Sequence, residues 1–360
     1  MAAARPPVAA AFLTDGGQTA VGVAALITGF LEQARTSLDI AIYDLRLADA
    51  PAQALLQAVR GAVARGVAVR VLFNVDHALR PPVPAPPEVD WDLVKQWDVP
   101  FHPISGVPDL MHHKYVVRDA GSPAAAVLTG STNWTNDSWT REENALVTVD
   151  SPPLADAYRL DFEELWTTRQ VSASGHRASG WTDLPGLGAG ARVRAHFTPG
   201  HAQRLVHAIA HRLHATRRRI RICSPVITSG PILGTLAELI GTPRAAPDVL
   251  GAYDGTQMAE VLAQWGEEEH ARWKIEAFRT ISRSGHFSAK ASIPYSKGSI
   301  HDFMHAKVTV IDDCAFVGSF NLSHSGEANA ENVLEIESPA VAELFAGFVD
   351  AVAARYPRAG

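Results

Sequence analysis

The chain has 360 residues, of which 47% are hydrophobic and 19% are charged, and its net charge at pH 7 is −6. This is an ordinary globular composition, and the length allows two domains or one domain with two halves. The negative charge argues against a dedicated nucleic-acid-binding protein, which usually presents many Lys and Arg side chains to phosphates, but it does not exclude a local basic cleft. Cys223 and Cys314 lie in apolar runs, and we expect reduced thiols in the core.

The N-terminal residues do not resemble a secretion signal. Residues 1–17, MAAARPPVAAAFLTDGG, contain one Arg and a short apolar stretch that prolines interrupt. A signal peptide needs about 7–15 apolar residues behind a basic start, and a membrane-spanning helix needs about 20. No run meets either requirement, so we expect a cytoplasmic protein.

Helices and strands alternate along the first part of the chain. In order, the sequence predicts a helix over 20–34, a strand over 37–47, a helix over 51–66, a strand over 67–76, a proline-rich loop over 80–90, a strand over 124–134 and a helix over 152–166. The β–α–β order favours a mostly parallel sheet that helices cover.

The second part of the chain repeats this order after a segment rich in Gly and Ser. It contains a predicted helix over 201–218, strands over 220–228 and 248–254, and a closing helix over 338–356. Two copies indicate a duplication rather than a solenoid. We therefore predict an N-terminal half over 1–168, a linker over 169–191 and a C-terminal half over 192–360.

Each half contains one copy of the same polar pattern. The first copy reads DLMHHKYVVRD over 109–119 and GSTN over 130–133; the second reads DFMHAKVTVID over 302–312 and GSFN over 318–321. Residues i and i+2 of a strand share a face, so the histidine and lysine of each copy project together. These pairs are His112 with Lys114 and His305 with Lys307. A lysine beside a histidine is expected where both groups handle an anion.

The remaining residues of the pattern fit a site for a phosphate. The aspartates fall on the opposite strand face and are expected to support the strand ends, the glycines allow close backbone approach, and the serines and asparagines can donate to phosphate oxygens. A glutamate ten positions after each asparagine can accept from a histidine N–H and fix its tautomer. These residues are Asp119, Asp312, Gly130, Gly318, Ser131, Ser319, Asn133, Asn321, Glu143 and Glu331.

Two copies of H-x-K-x4-D followed by G-S-x-N resemble the phospholipase D superfamily over nearly the whole chain. The resemblance implies an α/β fold of two similar halves, each a mainly parallel mixed sheet flanked by helices, packed about a pseudo-twofold axis. It also implies a covalent phosphohistidine, without a metal or other cofactor, with lysines and asparagines on the phosphate oxygens. By this resemblance His112 is the expected nucleophile and His305 the general acid, and the reverse assignment stays open.

The substrate is the more difficult prediction. We expect a phosphodiesterase that cleaves or transfers the head group of glycerophospholipids at a membrane surface, with a metal-independent nuclease acting on DNA or RNA as the alternative. The negative net charge and the lack of a continuous basic stripe favour lipid. A non-catalytic scaffold is disfavoured because both copies are intact, and a monomer is expected because one chain carries both. Tyr295 and Lys297 are weaker candidates for the pocket rim, and His113 receives no role.

Overall fold

The computed structural model describes residues 6–78, 86–177, 179–242, 247–296 and 298–359. The elements of the first half are β1 (Val8–Leu13), α1 (Ala20–Leu31), β2 (Ser37–Ile42), β3 (Leu45–Arg46), α2 (Asp49–Ala64), β4 (Ala68–Val75), α3 (Trp91–Gln96), β5 (Phe101–Ser105), β6 (Lys114–Arg118), β7 (Ala126–Gly130), β8 (Trp134–Thr135), α4 (Asn136–Thr140), β9 (Asn144–Asp150) and α5 (Pro152–Thr168).

The second half follows a segment that contains a short 3-10 helix, Val171–Ala173. Its elements are β10 (Thr182–Asp183), β11 (Arg192–Thr198), α6 (Ala202–Ala215), β12 (Arg219–Cys223), α7 (Gly230–Gly241), β13 (Asp248–Asp254), α8 (Gly255–Gly266), α9 (Arg272–Ser282), β14 (Phe287–Lys290), β15 (Val308–Ile311), β16 (Cys314–Gly318), α10 (His324–Ala328), β17 (Glu331–Glu337) and α11 (Pro339–Arg355).

The two halves form sheets with the same strand order. The first sheet runs β1-β9-β7-β6-β2-β4-β5, and the second runs β11-β17-β16-β15-β12-β13-β14 with β10 added beside β11. The equivalent helices α5 and α11 both begin with proline after a serine, where the missing N–H costs nothing. The predicted α/β fold of two similar halves is therefore confirmed.

The expectation that the sheets would be mainly parallel is wrong. Among the described strands, the parallel pairs of the large sheets are β2–β4, β4–β5, β12–β13 and β13–β14, and the other pairs of those sheets are antiparallel. Helical crossovers join the parallel strands, whereas β6–β7 and β15–β16 are hairpins, which require antiparallel pairing. The β–α–β pattern thus applies to only part of each half.

Three apolar clusters hold the layers together. One lies between β2, β4 and the helices α1 and α2, and a second lies between β12, β13 and the helices α6 and α7. The third contains residues of both halves, with α5 and α11 packed between the sheets. No helix within the described ranges is long and apolar enough to cross a membrane.

Candidate active site

The two copies of the polar pattern meet where the halves join. Met111 forms an isolated parallel bridge with Ala330, and Met304 forms the equivalent bridge with Glu143, so each half pairs with the other in the same way. The backbone N–H of His112 also donates to the Ala330 carbonyl at 2.9 Å. These reciprocal contacts bring the segment before β6 and the segment before β15 to one place.

Both histidines line a single pocket with a volume of about 450 Å³. β6 begins at Lys114 and β15 begins at Val308, so the histidines precede the strands on which we expected them. They nevertheless project from equivalent positions into the same cavity. One site built from both halves is therefore the arrangement that the structure shows.

A carboxylate from the opposite half holds His112. Its Nδ1 lies 2.8 Å from Glu331 Oε2, and both side chains are buried. A carboxylate at Nδ1 favours the proton there and leaves Nε2 unprotonated. Burial, with the charges of Lys114 and Lys307, holds the pKa of His112 well below its usual value, so the imidazole is neutral. A neutral ring with a free Nε2 is suited to nucleophilic attack.

His305 is held by two oxygens rather than one. Its Nδ1 lies 3.1 Å from Asn144 Oδ1 and 3.3 Å from Glu142 Oε2. Burial, with the charges of Lys307 and Lys114, also keeps the pKa of His305 well below its usual value. Burial raises the pKa of the Glu142 carboxyl to about 7. A proton shared within such a group can be delivered at neutral pH.

The structure does not bring Glu143, the glutamate selected from the sequence, to His305. Its Oε2 accepts from Lys290 Nζ at 2.9 Å, and its Oε1 accepts from the Tyr356 hydroxyl and from the backbone N–H of Asp15. Adjacent residues of an extended chain point to opposite sides, so Glu142 faces the pocket and Glu143 faces away. Sequence reasoning missed Glu142 for this reason.

The equal ten-residue spacing concealed a shift of one residue. Because the two bridges match Glu143 with Ala330, Asn144 matches Glu331 and Glu142 matches Asn329. The glutamate and the asparagine have thus exchanged places between the two halves. Aligning the apolar runs of β9 and β17, instead of counting from Asn133 and Asn321, is the signal that could have found the exchange.

Each lysine of the pattern contacts the backbone carbonyl of the histidine in its own copy. Lys114 Nζ donates to the His112 carbonyl at 2.8 Å, and Lys307 Nζ donates to the His305 carbonyl at 2.6 Å. Burial lowers the pKa of Lys114 to about 7, and burial together with the charge of Lys114 lowers the pKa of Lys307 well below its usual value. An anion bound between them would oppose both effects and restore their charges.

The two asparagines complete the set of groups available to a phosphate. Asn133 and Asn321 line the pocket, and their Oδ1 atoms are buried without a hydrogen-bond partner in the described part of the chain. Buried polar atoms are normally paired, so these amides are candidates for contact with a ligand, and the donors that they would offer to phosphate oxygens are their NH2 groups. The residues described contain no group of three or more His, Cys, Asp or Glu side chains placed to hold a metal ion.

The glycines and serines of the pattern shape the site from behind. A Cβ on Gly130 would lie 2.0 Å from the Ala145 carbonyl oxygen, and one on Gly318 would lie 2.1 Å from that of Asn332. Ser131 Oγ donates to Asn144 Oδ1 at 2.6 Å, and Ser319 Oγ accepts from the Asn332 N–H at 3.0 Å. Both serines are fully buried and support the neighbouring strand.

The two aspartates stand away from the pocket, as expected from their strand face. Asp119 accepts from the backbone N–H groups of residues 35–37, and Asp312 accepts from those of residues 217–219. Partial burial acts to raise the pKa of each carboxyl, but these N–H groups outweigh it and hold the pKa below its usual value. Each aspartate ties the end of β6 or β15 to the start of β2 or β12.

Tyr43 is a further pocket residue that the sequence did not single out. Its ring centroid lies 4.7 Å from that of His112, and Lys114 Nζ lies 4.8 Å from the same tyrosine ring. Its hydroxyl lies 3.2 Å from His77 Nε2. Tyr295 lines the same pocket with His301, as expected of a rim residue, whereas Lys297 lies outside the described residues.

Sequence comparison identifies the same two regions. A sequence model of the family described as "Cardiolipin synthase, PLD-like domain" matches residues 27–166 and 209–351, each of which contains one copy of the pattern. The chain is also 44% identical over 57 residues to the mitochondrial cardiolipin hydrolase of Xenopus laevis, and 46% identical to that of Xenopus tropicalis. Each match covers 16% of this chain and 25% of the relative, so it spans about a quarter of the curated relatives' length.

Two solved structures show the same fold over 95% of the chain. Phosphatidylserine synthase from Haemophilus influenzae Rd KW20 matches with a TM-score of 0.61 and 16% identity, over 86% of that chain. Polyphosphate kinase from Porphyromonas gingivalis matches with a TM-score of 0.56 and 11% identity, over 50% of that chain. At these identities the similarity concerns the fold alone, and the two names show that the fold does not determine the substrate.

Proposed function

Because this chain belongs to the phospholipase D superfamily, in the family described as cardiolipin synthase, PLD-like domain, we propose that it cleaves or transfers the head group of a glycerophospholipid through a covalent phosphohistidine. The observation that carries the proposal is that His112 and His305 line one pocket together with Asn133 and Asn321, one histidine and one asparagine from each half. The family description and the curated relatives, both named for cardiolipin, support a lipid substrate.

In the first half-reaction His112 Nε2 attacks phosphorus. A P–N bond forms, the P–O bond to the leaving alcohol breaks, and His305 Nε2–H gives its proton to the departing oxygen. Lys114, Lys307 and the amides of Asn133 and Asn321 hold the non-bridging oxygens, on which charge develops. The negative charge of the phosphate and the Glu142 carboxylate favour the protonated form of His305 that this step requires.

In the second half-reaction His305 acts as a base. It takes a proton from water, or from an acceptor alcohol, whose oxygen then attacks phosphorus as the P–N bond breaks. Hydrolysis and head-group transfer differ only in this acceptor. His112 leaves as a neutral imidazole, and Glu331 at its Nδ1 stabilises the ring in the same tautomer throughout.

The different groups that orient the two histidines support the assignment of His112 as the nucleophile. Its Nδ1 has one short contact with a carboxylate, which raises the electron density at Nε2. His305 shares its Nδ1 proton between an amide and a carboxylate, a weaker arrangement that suits a group required to gain and lose a proton. A cytoplasmic location and a monomeric state stay predictions.

In the test, the purified protein is incubated in the presence of EDTA with one of three labelled substrates: phosphatidylcholine, phosphatidylglycerol or single-stranded DNA. We expect released or exchanged head group from a lipid and no cleavage of DNA. The variants His112→Ala and His305→Ala are the controls for a contaminating enzyme. Cleavage of DNA with no turnover of any lipid would favour the nuclease alternative, and complete loss of activity in EDTA that added metal restores would overturn the mechanism.

A further inference from the structure

Three exposed aliphatic side chains occur in the two segments that border the active-site pocket. Val107, Ile293 and Ile300 are 52%, 42% and 47% exposed. Ten large hydrophobic residues of the described chain are at least 36% exposed, and three of them fall within residues 105–110 and 291–303. Single exposed hydrophobic residues need no explanation, but a concentration at one opening does.

The side chains adjoin the pocket without lining it. Val107 stands between Gly106 and Pro108, both of which line the pocket. Ile300 precedes His301, and Ile293 lies two positions before Tyr295, again both lining residues. The first segment belongs to the first half and the second to the other half. The three aliphatic groups therefore come from both halves of the molecule and are adjacent in sequence to pocket-lining residues.

Backbone hydrogen bonds hold both segments in place. The N–H of Gly106 donates to the Val75 carbonyl at 2.7 Å, and the N–H of Ile293 donates to Asp302 Oδ1 at 2.8 Å. The N–H of His301 donates to Asp137 Oδ2 in the other half at 3.1 Å. The aliphatic groups thus point to solvent from anchored backbone, as a preformed contact surface requires.

We propose that Val107, Ile293 and Ile300 form a docking surface that places the pocket opening on a phospholipid bilayer. The choice of partner rests on the proposed function. A bilayer accepts aliphatic side chains at its boundary without a specific pocket. In the sequence the charged residues of the two segments are Asp109, Lys297 and Asp302, apart from His301, which is a net charge of −1 rather than a basic cluster. A polyanion such as nucleic acid is therefore a poorer fit to these segments than a zwitterionic lipid surface.

The experiment measures sedimentation of the full chain with sucrose-loaded vesicles of phosphatidylcholine. The test variant is Val107→Ser/Ile293→Ser/Ile300→Ser. The matched control is Val21→Ser/Leu160→Ser/Leu344→Ser, which removes three equally exposed aliphatic groups from helices that do not line the pocket. Hydrolysis of water-soluble bis(4-nitrophenyl) phosphate reports whether the active site is folded in each protein.

We expect the wild type and the control to sediment, the test variant to lose at least about tenfold in vesicle affinity, and all three to hydrolyse the soluble diester alike. Should the triple variant lose diester hydrolysis, Ile300→Ser alone replaces it, with a smaller loss of vesicle affinity expected.

A wild type that stays in the supernatant, equal sedimentation of test and wild type, or loss of oligonucleotide binding in place of vesicle binding would overturn the docking surface. Absence of diester hydrolysis in the wild type, with the expected sedimentation pattern, would instead count against the proposed function alone.

Discussion

At the scale of single residues, two adjacent glutamates have different surroundings and therefore different expected roles. Glu142 Oε2 lies 3.3 Å from His305 Nδ1, whereas Glu143 pairs with Lys290 away from the pocket. We expect Glu142→Gln to lower kcat about tenfold or more with little change in Tm, because His305 loses its carboxylate. Glu143→Gln should lower Tm and leave the kcat of the folded enzyme nearly unchanged. If Glu143→Gln instead lowers kcat and Glu142→Gln lowers only Tm, Glu143 is the residue that orients His305.

The roles of the two histidines can also be distinguished by the substrates that their alanine variants still turn over. His112→Ala removes the attacking nitrogen, so no covalent intermediate forms with any substrate. His305→Ala removes only the acid, which an activated aryl leaving group barely needs. General acid assistance is worth about 10²–10⁴-fold, so with an aryl phosphodiester the His305 variant should retain much more activity than the His112 variant.

Acid quench with labelled substrate, followed by peptide mapping, decides the assignment of the nucleophile. We expect the label on the peptide that contains His112. Label on the peptide that contains His305 alone would reverse the two roles. If no phosphohistidine accumulates in the wild type or in a variant slowed in hydrolysis, the covalent mechanism does not apply.

At the scale of elements, Asp119 and Asp312 fasten the catalytic strands to their neighbours. Both have a left-handed backbone, with φ of 54° and 52°, which asparagine also tolerates. Asp119→Asn therefore removes the charge with little backbone strain. Because the carboxylate accepts several N–H groups, we expect the variant to lose about 1–3 kcal/mol of unfolding free energy at pH 7.

The same prediction has a definite dependence on pH. The pKa of Asp119 is lower in the folded protein than in the unfolded chain, so its contribution is present above the unfolded value of about 4 and is lost as pH falls through the folded value. Urea unfolding of the wild type and Asp119→Asn should show a difference at pH 7 that shrinks near pH 3. A difference that stays constant would indicate that the charge contributes nothing.

Elements also show how far the sequence could be read. The repeated pattern located His112, Lys114, Asn133 and their partners because each lies beside an apolar run that predicts a strand. The contact between His305 and Glu142 was missed because it depends on a one-residue difference in the loop before β9, which spacing alone does not reveal. The sequence overestimates the number of parallel strand pairs because the crossover helices of parallel pairs are easily recognised. Hairpins between antiparallel strands contain no such helix and give a weaker signal.

At the scale of the whole molecule, the two halves are similar in fold and unlike in their buried polar groups. Behind His112, His113 Nε2 lies 3.2 Å from Asp161, and its Nδ1 lies 3.3 Å from the Asn332 side chain of the other half. The residue equivalent to His113 in the second copy is Ala306, which can form no such contact. Because the two histidines are proposed to have different roles, the residues that pack behind them need not be the same in the two halves.

The junction of the halves also contains a buried ion pair that should couple their stabilities. Lys290 Nζ, from the second half, lies 2.9 Å from Glu143 Oε2 and 3.3 Å from Asp15 Oδ2, both from the first half. Removing one partner leaves a buried charge uncompensated, which typically costs about 3–5 kcal/mol. We therefore expect Lys290→Met to lower Tm clearly, whereas Lys95→Met, at an exposed helix position, should not.

The double variant Lys290→Met/Glu143→Gln distinguishes a lost ion pair from a simple packing defect. If the penalty comes from the unpaired Glu143 carboxylate, removing that charge should recover a large part of the lost Tm, because burying a neutral amide costs less than burying a charge. If the penalty comes from the shape of the methionine side chain, the two losses should simply add. Additive losses would mean that the reciprocal strand bridges and the shared apolar core, rather than this ion pair, hold the halves together at the active site.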